Sequence, residues 1–101
     1  MFIISYDLKS PQADYEAMSA AIQGQGEAQR ILESTWVLDS KHNEDEIAAA
    51  LKTVIHEGDR FIVTEMQKDR RQGWLAKSMW QWMREHDTPR RDSGRKEEGD
   101  A

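Results

Sequence analysis

There is no cysteine in the chain. A disulfide framework and a zinc–thiolate site are therefore excluded. There is also no long apolar run, and the opening Met1-Phe2-Ile3-Ile4-Ser5 carries no basic leader. The chain is accordingly read as having neither signal peptide nor membrane span, and a cytoplasmic location is expected by default. The three histidines, His42, His56 and His86, form no i, i+4 pair, so a histidine metal site has little support. Ser34 has no histidine at a readable spacing, which argues against a nucleophilic serine. Gly24-Gln25-Gly26 follows a helical pattern and precedes an extended one, the reverse of a dinucleotide-binding turn.

What is present fits one domain of 101 residues. The charge is unevenly spread. Residues 1–59 hold 4 Lys/Arg against 11 Asp/Glu, a net of −7, whereas residues 60–86 hold 6 against 3, a net of +3. The acidic first half does not favour a nucleic-acid partner. Lys68, Arg70, Arg71 and Lys77 are where phosphate would be met, if they are not simply a solvated loop and helix face.

Phe2 to Leu8 reads as a strand, with Phe2, Ile4 and Tyr6 on one face and Ile3, Ser5 and Asp7 on the other. Ser10-Pro11 reads as a helix start, and Tyr15, Met18 and Ile22 form the apolar stripe of a helix over about 11–23. Gly24-Gln25-Gly26 stops it. Glu27 to Ser40 is extended, with Glu33-Ser34 marking a tight hairpin or a bulge between two strands. Asn43 with Glu46 is a capping box, and Ile47, Ala50, Leu51, Val54 and Ile55 make one helical face that Gly58 ends. Arg60 to Met66 is the last strand.

The expected fold is thus α+β, a ferredoxin-like βαββαβ sandwich over 1–86, with both helices on one sheet face. A further helix over about 74–86 carries Trp74, Leu75, Met79, Trp82 and Met83 on one broad face. It is expected to cover the open side of the sheet or a dimer partner. Base stacking beside Lys77 and Arg84 is the alternative. Residues 87–101 are charged, nearly free of apolar side chains, and expected to be a disordered tail.

Asp7, at the end of the first strand, is the main candidate for chemistry. It is either a turn-capping aspartate that bonds nearby amides or a carboxylate that holds a hard cation. By position alone the capping role is the commoner one. Two such carboxylates across a dimer axis would hold Mg²⁺.

Taken in order, Ser5-Tyr6-Asp7-Leu8, Leu32-Glu33-Ser34-Thr35-Trp36-Val37-Leu38, Gly58-Asp59 and the Gly73-Trp74-led final helix resemble a known group. It comprises the small second protein of CRISPR adaptation modules, a CRISPR-associated endoribonuclease, and its virulence-associated protein D relatives. A stand-alone "SinR-like" subgroup is the nearest likeness, over about residues 2–86. The resemblance implies a ferredoxin-like homodimer in which Asp7 is catalytic and holds Mg²⁺, with Tyr6 and Ser34 flanking the site. It places Arg30, and by position Lys9, against nucleic acid. The chain departs from the pattern in two ways. The basic residues that follow the aspartate are mostly absent from Leu8-Lys9-Ser10-Pro11-Gln12, and a helix stands where typical members have a fifth strand. The activity implied is a Mg²⁺-dependent endonuclease acting on RNA or double-stranded DNA. A catalytically inactive homodimeric module that binds nucleic acid or protein is the alternative. A small-ligand sensor rests on fold analogy alone.

Overall fold

A computed structural model of the protein describes residues 1–87. Along the chain run β1 (Phe2–Asp7), α1 (Tyr15–Gln23), β2 (Glu27–Leu32), β3 (Thr35–Asp39), α2 (Glu44–Lys52), β4 (Arg60–Glu65) and α3 (Lys77–Glu85). The architecture is a small α+β one. The strands form one antiparallel sheet in the order β2-β3-β1-β4, so β1 and β3 are central and β2 and β4 are edges. None of the helices among the described residues is long and apolar enough to cross a membrane.

The alternation in β1 decides the layering. Phe2, Ile4 and Tyr6 pack with Trp36 and Leu38 of β3 against Met18 and Ile22 of α1 and Ile47 and Leu51 of α2. Period-2 strands and the period-3.6 stripes of α1 and α2 thus place the larger share of the apolar bulk on one side of the sheet. The opposite face carries a second, smaller core of Met1, Val37 and Met83, with Ile3, Ile31, Leu75, Trp80 and Trp82 against it. Helix α3 is therefore the cover of that face, one of the two roles expected for it.

Several local expectations are corrected. Helix α1 does not start at Ser10. The Ser10 hydroxyl accepts from the Gln12 amide at 3.0 Å and the Ser10 carbonyl from the Ala13 amide at 2.9 Å, so Ser10 to Ala13 is a turn with Pro11 at its favoured second place. Asp14 is the cap, its carboxylate accepting from Ala17 at 2.9 Å. Tyr15 in turn is 53% exposed, its hydroxyl donating to the Leu8 carbonyl at 3.1 Å.

The Asn43–Glu46 capping box forms with both bonds at 2.9 Å. Helix α2 ends at Lys52, before Gly58. Gly58 instead serves a turn from His56 to Asp59 with φ +95°, a left-handed conformation that suits glycine. His56 accordingly lies in that turn and not at a helix C-terminus. Of the two readings of Glu33-Ser34 the tight hairpin is the one formed, since these residues turn the chain; the register shift lies earlier, between Arg30 and Leu32.

Gly26 is required for a different reason. A Cβ there would lie 2.2 Å from the Asp39 carbonyl oxygen, so only glycine lets β2 start this close to the end of β3.

The final helix is shorter than expected, beginning at Lys77. Its periodic face therefore excludes Trp74, which is 97% exposed. Beyond its end, the Arg71 guanidinium grips Asp87 through both carboxylate oxygens, Nη1 to Oδ1 at 3.1 Å, and both side chains are largely buried. Arg71 is thus withdrawn from the basic stretch, and Asp87 belongs to the packed body. The remainder of the expected tail lies outside the described residues.

Candidate functional site

Asp7 ends β1 on the sheet face opposite the large core, because Tyr6 points into that core and alternate residues point apart. Its side chain is 64% exposed. Lys9 Nζ stands 3.7 Å from Asp7 Oδ2, and Arg60 is the cross-strand neighbour on edge strand β4. Lys9 is thus the cation paired with this carboxylate, and Arg60 is its register neighbour without an ion pair to it. No backbone amide among the described residues donates to Asp7, so the turn-capping role is not the one the fold gives it.

That capping role falls to Asp59. Its carboxylate is almost fully buried, accepting from the Ser10 amide at 2.8 Å and the His56 amide at 3.0 Å. These bonds tie the loop after β1 to the turn before β4. The Ser10 amide is the main cause that holds the Asp59 carboxyl below its ordinary value of 3.8. Burial opposes it, and the His56 and Lys9 amides with the nearby His56 ring reinforce it.

The flanking residues are positioned by the sheet. Tyr6 is buried, and its hydroxyl accepts from the Trp36 indole N–H at 3.2 Å, which locks the centre of β1 to β3. The Ser34 carbonyl accepts from the Tyr6 amide at 3.1 Å, placing the Glu33-Ser34 turn at the same end of the sheet as Asp7. The Ser5 and Thr35 hydroxyls meet at 3.0 Å on the Asp7 face. Tyr6 is thus taken up in the sheet interior, and the Ser34 carbonyl by the Tyr6 amide.

Arg30 is not brought to Asp7. It pairs with Trp36 across β2–β3, and its guanidinium carbon lies 5.8 Å from the Trp36 ring centroid, on the helix-covered side. Arg60 is the cation that shares the Asp7 face, together with Lys9. Sequence reasoning passed over Arg60 and Asp59. The Gly58-Asp59 pair just ahead of a strand was the available signal, but the Ser10 amide that Asp59 captures lies 49 residues earlier.

Comparison with known families, curated proteins and solved structures yields no match.

A second constellation was also hidden from sequence. His86 closes α3, its ring stacked on Trp82 at 3.8 Å. Its Nδ1 lies 2.8 Å from the Trp82 carbonyl and its Nε2 lies 2.7 Å from Glu27 Oε1. Both ring nitrogens face acceptors, an arrangement that only the doubly protonated imidazolium satisfies. Burial works against that charge, but the Glu27 hydrogen bond, the Trp82 carbonyl and the Asp39 carboxylate prevail and raise the His86 pKa above 6.5.

Proposed function

We propose that the protein is a homodimeric, Mg²⁺-dependent phosphodiesterase of nucleic acid, with RNA as its first substrate class and Asp7 of each copy as the metal-holding carboxylate. The observation that supports this reading is the exposure of Asp7. It stands exposed at the end of a central strand and receives no backbone hydrogen bond, while Asp59 fixes the adjoining loop. The strand order and the two helices on one face support a ferredoxin-like assignment, and a soluble cytoplasmic setting accords with it.

The residues present fit a hard cation in one way. Mg²⁺ takes one or two carboxylates and leaves its remaining positions to water and substrate phosphate. Among the described residues no group of three His, Cys, Asp or Glu offers a closed cage. A site shared between two copies, one Asp7 from each, meets the requirement. When bound there, the ion supplies charge stabilisation at the phosphoryl oxygens and a more acidic water.

The chain's own residues do the rest. Asp7 orients the ligated group. Lys9 and Arg60 bring positive charge to the phosphate beside it. Asp59 holds the Lys9-Ser10 backbone so that this geometry is set before substrate arrives.

The test is cleavage of a labelled RNA with Mg²⁺ by wild type, Asp7→Ala and Asp7→Asn. Wild type is expected to cleave, and both variants to lose about a hundredfold or more in rate. Equal rates in all three would overturn the reading.

One observation favours the second reading, a non-catalytic homodimeric module. Lys9 stands 3.7 Å from Asp7 in its own chain and competes with a cation for the carboxylate. Under that reading no variant changes RNA integrity, and Mg²⁺ has no effect on any measured property.

A further inference from the structure

Trp74 is the most exposed large apolar side chain in the described protein, at 97%. An isolated exposed leucine needs no explanation, but a fully exposed indole does. The residue that follows it, Leu75, packs into the second core, whereas Trp74 itself does not. Packing does not account for it, since α3 seats itself on the sheet through Met83, Trp80 and Trp82 without Trp74.

The charge around this position is of one sign. From Gln67 to Lys77 the chain holds Lys68, Arg70, Arg71 and Lys77 against the single acid Asp69. Arg71 is taken by Asp87. Lys68, Arg70 and Lys77 are exposed and have no ion-pair partner among the described residues. They stand out against the first 59 residues, whose net charge is −7. A fully exposed aromatic plane with cations close along the chain is the chemistry that recognises an unpaired base and its phosphates. An acidic peptide would satisfy the cations but leave the indole without a flat partner.

We infer that Trp74, with Lys68, Arg70 and Lys77, forms a docking surface for single-stranded nucleic acid, with one base stacked on the indole and the flanking phosphates on the three cations. The inference names the strandedness of the substrate in the function proposed above. It shares with that reading the nucleic-acid partner but not the chemistry at Asp7.

The experiment is fluorescence anisotropy of a labelled 12-nucleotide RNA against the full chain carrying Asp7→Ala, in EDTA, so that cleavage plays no part. An abasic oligonucleotide of equal length and polyglutamate serve as competitors. Trp74→Ala is expected to weaken RNA binding about tenfold, and the abasic strand to compete about tenfold less well than RNA against the Trp74-containing protein. Trp74→Phe is expected to retain most of the affinity. Because the indole is solvent-exposed, the Trp74 variants should melt at the wild-type temperature. Unchanged RNA binding in Trp74→Ala would overturn the inference, as would equal competition by the abasic strand or by polyglutamate. A change in oligomeric state with RNA binding intact would assign the indole to a protein contact and overturn it too. Loss of cleavage by Asp7→Ala with this binding pattern kept supports both proposals, whereas absence of cleavage in wild type with the pattern kept overturns only the catalytic one.

Discussion

At the residue scale, two aspartates near strand ends have opposite surroundings. Asp59 is almost fully buried and collects backbone amides; Asp7 stands largely in solvent beside Lys9. Because the Asp59 carboxyl is held below its ordinary value of 3.8, its contribution to stability is fully present above that pH and is lost as pH falls through the lower folded value. Asp59→Asn should therefore destabilise the protein at neutral pH, with the gap to wild type closing below about pH 4 in urea titrations. A pH-independent gap would contradict this account.

His86 works with the opposite sign. Its raised pKa gives stability that is complete below 6.5 and is lost as pH rises through the higher folded value. Glu27→Gln should lower the His86 pKa, read directly from the ring proton shifts in an NMR titration, because burial then meets less opposition. An unmoved titration would show that Glu27 does not hold the ring.

None of this was legible in the sequence. The Ser10 amide lies 49 residues from Asp59 and Glu27 lies 59 residues from His86, so no local spacing joins these pairs. Asp7, by contrast, was visible because the end of a strand can be read from alternation alone.

At the element scale, the strands and α2 were legible because their signals are local. Phe2-Ile4-Tyr6 alternates, and Asn43-Glu46 carries its own capping bonds. The start of α1 was not, since Ser10 and Asp14 are both good caps and Ser10 engages its hydroxyl and carbonyl in the turn to Gln12 and Ala13. The start of α3 was misplaced because Trp74 continues the apolar composition without continuing the helix.

Two close approaches set the elements in place. Gly26→Ala puts a methyl group 2.2 Å from the Asp39 carbonyl oxygen. A loss of about 2–4 kcal/mol in chemical denaturation is expected. A loss of a few tenths would mean that β2 shifts freely. Arg71→Ala leaves the largely buried Asp87 carboxylate without its bidentate partner. It should cost about 1–3 kcal/mol, and Asp87→Asn should recover part of that loss in the double variant. Strict additivity of the two substitutions would deny the pair.

At the scale of the whole molecule, the sheet has one fully covered face and one that α3 covers in part. The large core under α1 and α2 fixes β1, and Asp59 fixes the loop that follows it, so Asp7 and Lys9 are carried on a braced frame. The second core seats α3 through Met83, which is fully buried. Met83→Ala should cost about 2–5 kcal/mol and loosen the protection of the α3 amides against hydrogen exchange before that of β1. Simultaneous loss of protection in both would mean that the two faces unfold as one.

The account depends most on one carboxylate per chain becoming two across a symmetry axis. Mn²⁺ titration of the purified protein, with its mass in solution measured alongside, addresses this directly. A dimer that takes up about one Mn²⁺ per two chains, with uptake abolished by Asp7→Ala while the dimer persists, is the predicted result. A monomer, or metal uptake that Asp7→Ala leaves unchanged, would contradict it.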